Sequence, residues 1–308
     1  MQDNSHKISA SQLFCILLLI RVSAEMVYPS KAGFGGTGLA AALTAELIRF
    51  LLALPVLIYS FKGREFYAAI WRKNRFLGWT SAVGAALLLA GAAVRTLVFA
   101  AEFVQRTLLN RTSALLIALL LAGFGAYAAF KGCEAMARAG TLFLVAAGIV
   151  TLLVILADIP SMTRLRDLPE WSVGLFLEDG FGRFLRGGEY LVFAALLPYV
   201  RTSGDDRAKT RSGAAGMWFA GASAVIAAGL CVFYGAVLEE YSGMTEYPIA
   251  AAASLADVVL FKRLDGIACA VWALGAAFRV GVMAFSSWSV IGELLKYSKR
   301  KPAASEQA

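Results

Sequence analysis

Apolar stretches about as long as a bilayer is thick recur along the whole 308-residue sequence, and that recurrence limits the fold more than any other feature. A soluble domain breaks its hydrophobic positions into amphipathic helices and short strands, because one side of each element faces water. Here 59% of residues are hydrophobic, 16% are charged and the mean hydropathy is +0.68, which is more apolar surface than one soluble core can hide. Lipid accepts the remainder. The expected fold is therefore all-α, a polytopic helical membrane protein with a single transmembrane domain over 1–298. The short basic tail, 299–308, is expected to be disordered on the cytoplasmic side.

With about 20 residues per crossing as the ruler, eight transmembrane segments emerge, at 11–28, 37–60, 77–103, 112–130, 136–157, 183–201, 212–238 and 263–292. The sixth contains Gly187-Gly188-Glu189, and its apolar run from Tyr190 to Val200 is too short to span alone, so a broken helix is expected. Assigning the segments to alternate sides puts 16 Lys and Arg residues in the cytoplasmic set and nine in the outer set, among the latter Arg183 and Arg186. Both termini then lie inside. In the long outer connection, Leu168 to Asp179 reads as an amphipathic helix lying in the interface with Trp171 as anchor, and Glu239 to Asp257 has the same character. Gly213-Ala-Ala-Gly216 and Gly221-Ala-Ser-Ala read as surfaces for close helix contact.

The formal charge of +8 does not point to nucleic acid, because the basic residues form short clusters between apolar segments rather than one basic face. No cofactor-binding or metal-ligand spacing occurs. Cys15, Cys231 and Cys269 fall within predicted spans, Cys133 lies just between two of them, and the single histidine, His6, lies in the N-terminal tail. No catalytic constellation is present and an enzyme is not expected.

Ionisable groups inside a bilayer are costly, so their positions carry the next level of information. Seven stand out within the predicted spans: Arg21, Glu25, Glu46, Arg49, Arg95, Glu189 and Arg279. Arg21 and Glu25 are four apart and Glu46 and Arg49 three apart, so each pair can neutralise itself on one helix face. Arg95 and Arg279 have no close partner in their own helices, which requires a cross-helix contact or a water-lined cavity. Glu189 follows two glycines that free the backbone at the start of a half-helix. There it either binds an ammonium group or carries a proton, or it caps the helix start beside Arg183 and Arg186. Gly187, Gly188 and Glu189, with Ser23 and Glu25 from the first span, are the candidate substrate-binding residues. Arg21, Glu46, Arg49, Arg95 and Arg279 are a candidate intramembrane charge network.

Several motifs in order resemble the endospore germination permease family, the B subunit of nutrient-germinant receptors, within the amino acid–polyamine–organocation superfamily. They are Lys7-Ile-Ser-Ala-Ser-Gln-Leu-Phe14, Gly132-Cys-Glu-Ala-Met-Ala-Arg138, Gly188-Glu-Tyr-Leu-Val-Phe-Ala-Ala-Leu-Leu-Pro-Tyr199, Tyr247-Pro248, Arg263-Leu-Asp265 and Val271-Trp-Ala-Leu-Gly275. The resemblance implies an inverted-repeat transporter fold whose first and sixth helices are broken around a small-molecule site. Gly188, Glu189, Pro198, Glu134, Arg138 and Asp265 match the family pattern, and Arg279 falls where a basic residue is common. Two departures stand out. The first helix reads Val22-Ser-Ala-Glu-Met-Val-Tyr-Pro29 where relatives carry glycines, and Glu25 there would repel a substrate carboxylate. Family members also continue through two more helices, so the repeat here is incomplete.

By this resemblance the chain is a permease-like subunit of a spore nutrient-germinant receptor, sensing a small nutrient such as an amino acid. Its implied partners are the lipid bilayer, that nutrient and the other receptor subunits, and its implied location is the inner spore membrane. The alternatives are a stand-alone amino-acid transporter and a membrane scaffold that binds no ligand.

Overall fold

The computed structural model describes residues 7–28, 36–62, 66–162, 172–201, 206–238, 245–256 and 264–299. These form ten α-helices among the described residues: α1 (Ala10–Val27), α2 (Gly36–Phe61), α3 (Phe66–Lys73), α4 (Arg75–Thr107), α5 (Ala114–Asp158), α6 (Val173–Leu185), α7 (Glu189–Leu196), α8 (Asp206–Leu238), α9 (Pro248–Leu255) and α10 (Asp265–Lys299). Six of them, α1, α2, α4, α5, α8 and α10, are long and apolar enough to cross a membrane. Their outward faces carry large apolar side chains such as Leu87, Leu119, Leu142 and Val225. That inside-out pattern is stable only in lipid.

Helix α5 is two crossings. A straight 45-residue helix would run about 68 Å, more than twice the ~30 Å hydrocarbon core. Gly132 interrupts it with φ 85° and ψ 175°, a backbone state that is essentially glycine-only. The two arms then meet the same level of α10. A Cβ on Gly125 would stand 3.1 Å from the Ala277 carbonyl oxygen, and one on Gly140 would stand 2.9 Å from the ring of Phe278. Along a straight helix those glycines would be about 22 Å apart, so the chain turns back at Gly132. With the two arms counted separately and α6–α7 taken as one interrupted span, the helices reproduce the eight segments read from the sequence.

The bundle centres on α1 and α10, the most enclosed of the long helices, while α5 is largely exposed to lipid. A capping box opens α1, where the Ser9 hydroxyl accepts from the Gln12 amide and the Gln12 side chain accepts from the Ser9 amide. Small residues set the closest crossings. Gly281 of α10 meets Gly125 so tightly that a Cβ would lie 2.6 Å from the Gly125 oxygen, and Gly213 and Gly216 let α8 approach Phe61 and Leu57 of α2. Gly221, by contrast, has open space around it, and nearby Ser223 serves a polar role described below.

Three expectations change. First, α1 is continuous through Val22–Val27 and ends at Tyr28, whose extended backbone still donates to the Ala24 oxygen. Without a glycine in that stretch nothing frees the backbone, so the helix ends there rather than breaking within it. Residues 29–35 lie outside the described set. Second, the segment expected in the interface is the first half of the interrupted span. Asp179 and Arg183 of α6 are buried against the bundle, while Leu177 and Phe181 face outward. The periodicity was amphipathic, but in lipid the polar face turns inward. Trp171 lies outside the described residues. Third, α9 is likewise inserted, with Ile249, Ala252 and Ala253 buried between α8 and α10. Of the basic tail, only Lys299 is among the described residues.

Candidate functional site

The interruption between α6 and α7 organises the polar interior. Helix α6 ends at Leu185, where the Arg186 and Gly187 amides fold back onto the Gly182, Arg183 and Phe184 oxygens and the chain then leaves the helix. Gly187 and Gly188 then carry the chain across, with Gly188 at φ 148°, before Glu189 opens α7. Three arginines from three helices converge on carbonyls at this helix end. Arg49 of α2 donates to the Arg183 oxygen, Arg95 of α4 to the Leu185 oxygen and Arg279 of α10 to the Arg186 oxygen at 2.5 Å. Cations at a helix C-terminus are favoured by its dipole, and those on the Leu185 and Arg186 oxygens also satisfy acceptors beyond the last cap bond.

Around this hub the acids and bases form a buried lattice. Arg21 lies 2.6 Å from Glu25 on its own helix and also bonds Glu46 of α2. Arg49 reaches the same Glu46 oxygen at 2.5 Å. Ser223 of α8 accepts from Arg21 Nε at 3.1 Å and donates to the other Glu46 oxygen at 2.8 Å. Arg183 bridges Glu25 at 3.1 Å and Asp179 at 2.7 Å. On the far side Arg279 pairs with Glu189 at 2.7 Å, donates to the Ile20 oxygen and donates from Nε to Thr96 at 3.3 Å. Both members of that pair are essentially fully buried, at 0% and 1% exposure. The Tyr28 ring lies within 5.7 Å of both the Arg95 and Arg186 guanidinium carbons, and its hydroxyl meets Thr96 at 3.0 Å.

Of the residues singled out in the sequence, Arg21, Glu25, Glu46, Arg49, Arg95, Glu189 and Arg279 join this lattice, and Gly187 and Gly188 form its break. Ser23 stands apart. Its hydroxyl donates to the Leu19 oxygen of its own helix at 2.7 Å and packs against Gly275 of α10, where a Cβ would stand only 2.7 Å from it. Arg183 and Arg186 were expected only as neighbours of Glu189, and Asp179, Ser223, Thr96 and Tyr28 were not foreseen. The i,i+4 spacing of Asp179 and Arg183 was a usable signal once α6 is placed inside the membrane. Ser223 and Thr96 carried none, because hydroxyls are common in such helices.

A cavity of about 490 Å³ lies against the break, between α2 and α4, and Arg49, Arg95, Gly187 and Gly188 are on its wall. On the cytoplasmic side of the predicted topology, Glu134 and Arg138 pair at 2.5 Å across one helical turn. Near the chain start, the Ile8 amide donates to the Tyr199 oxygen at 2.8 Å and the Arg201 amide to the Ile8 oxygen at 2.9 Å, tying it to the segment that ends α7.

A comparison with curated proteins found no match to the chain. A family model described as spore germination protein matches residues 7–305, and by that match the chain belongs to the spore germination protein family of membrane permeases.

Proposed function

We propose that the chain is the membrane subunit of a spore nutrient sensor and that its ligand is a zwitterion, an amino acid or a close analogue, taken up at the α6–α7 break. One observation carries this reading: a fully buried Arg279–Glu189 pair at the start of a half-helix. A carboxylate and a guanidinium held together in a dry interior present the charges that an amino acid carries at its two ends. A ligand that gives its carboxylate to Arg279 and its ammonium to Glu189 replaces the internal pair without leaving a bare charge. Because Arg279 belongs to α10 and Glu189 to α7, the exchange uncouples two helices and biases the bundle between two states. Sensing requires that change; transport itself need not occur.

The reading places both termini in the cytoplasm. Two of the nine basic residues assigned to the outer side, Arg183 and Arg186, are buried in the lattice, which widens the asymmetry that supports this orientation. Reporter fusions at each end would test it. Affinity purification from spore membranes would test for companion receptor subunits.

The direct test is thermal stabilisation of the purified protein across a panel of amino acids. At least one is expected to stabilise it in a saturable way, and Glu189→Gln and Arg279→Gln are each expected to abolish that response. Silence across the panel would favour a scaffold that binds no ligand. Concentrative uptake into vesicles without partners would favour a stand-alone transporter.

A further inference from the structure

The cavity between α2 and α4 carries chemistry that the Glu189–Arg279 exchange does not use, since neither residue is on its wall. Two guanidiniums reach it. Arg49 is only 5% exposed, and its Nε has no hydrogen-bond partner; Arg95 Nε has none either. Arg49 can occupy this position because residue 187 is glycine, as a Cβ there would stand 3.0 Å from its Nε. The rest of the wall is chiefly apolar, including Leu52, Ala53, Val56, Leu87 and Leu88. Leu52, Leu87 and Leu88 are 65–69% exposed in the middle of membrane-crossing helices, so the mouth opens sideways into lipid.

The charge balance calls for an anion. Among the described residues, ion pairs and carbonyl contacts join five guanidiniums (Arg21, Arg49, Arg95, Arg183 and Arg279) to four carboxylates (Glu25, Glu46, Asp179 and Glu189). The C-terminal dipole of α6 offsets about half a charge, and the remaining excess is positive. Depth limits the size of the anion. Arg49 lies 13 residues from Gly36 and 12 from Phe61, or about 18–20 Å along α2 from either end, near the middle of the bilayer. Phospholipid head groups sit at the edges of a ~30 Å core and do not reach that depth. The occupant must therefore enter whole.

We propose that this lateral cavity binds a monocarboxylate with a compact apolar body, its carboxylate between Arg49 and Arg95 and its apolar part along the leucines. The volume lies within the range of small-molecule sites, about 300–1,000 Å³. Two sources share this chemistry, a fatty acid dissolved in the membrane and a water-soluble branched acid. The site is independent of the zwitterion reading and stands or falls separately from it.

The test uses the full chain in phosphatidylcholine nanodiscs, a decanoic acid bearing a terminal diazirine and the matching alcohol. Mass spectrometry of the photolabelled peptides reads the site. The acid is expected to label the peptides around Leu52 and Leu87–Leu88 about tenfold more than the alcohol, the ratio a charge-assisted contact supplies. Arg95→Gln and Gly91→Trp are each expected to remove that preference. Gly91 is on the cavity wall with open space where its Cβ would be, so tryptophan fills the cavity and leaves every charge in place. Glu189→Gln is expected to retain the labelling, which separates this site from the zwitterion exchange. Competition by 4-methylpentanoate assigns the water-soluble source, and competition by unlabelled decanoate alone assigns the membrane source. Equal labelling by acid and alcohol, labelling unchanged in both variants, or competition by neither acid would overturn the proposal.

Discussion

Glu46 is the acid on which the lattice most depends, and its replacement gives a quantitative test. One of its oxygens accepts from both Arg21 and Arg49, and the other accepts from Ser223. Arg21 keeps Glu25 when Glu46 is neutralised, but the described ion pairs give Arg49 no second carboxylate. Glu46→Gln therefore preserves shape while leaving a buried guanidinium uncompensated, which costs about 3–5 kcal/mol. At about 2 °C per kcal/mol for a chain of this size, the melting temperature falls by roughly 6–10 °C. Glu46→Gln combined with Arg49→Gln removes both charges and restores much of the loss, with a coupling of about 2 kcal/mol or more. Unfolding of purified protein in mixed detergent micelles, followed by tryptophan fluorescence, reads each variant. A single variant within about 2 °C of the parent, or a double variant as unstable as the sum of its parts, would refute the charge accounting.

The remaining predictions concern backbone and surface. Gly132→Ala forces a side chain into a glycine-only conformation and is expected to cost about 1–3 kcal/mol in the same unfolding assay. Gly281→Leu drives a side chain into the Gly125 oxygen, so the protein is expected to fail to reach the membrane in folded form, read as loss of a monodisperse peak on size exclusion. Arg106→Ala breaks the pair with Glu246, which is more than half exposed, and is expected to leave the unfolding transition where it is in the parent.

Much of the fold was legible because hydrocarbon thickness is a strict ruler. The spans at 37–60 and 212–238 fall inside α2 and α8, and the glycine pair at 187–188 marked the break in the sixth span. Two kinds of information were hidden. Periodicity shows that α6 has a polar and an apolar face but not which one meets the protein, since an interfacial helix and an inserted half-helix share the pattern. Side-chain partners across helices were hidden as well. Arg279 could be recognised as needing a partner, yet nothing local said that Glu189 would supply it 90 residues away. The carbonyl hub was beyond reach for a related reason. It depends on backbone groups that every sequence has and only a particular tertiary arrangement exposes.

The backbone tie at the chain start has a mechanical consequence. Ile8 is stitched by two hydrogen bonds to Tyr199 and Arg201, immediately beyond the half-helix that begins at Glu189. That half-helix and its short extension are only about three turns long, too stiff to absorb a displacement internally. A shift at Glu189 would thus be carried, as a push or pull along one stiff rod, to Ile8 at the opposite end of α1 from Tyr28.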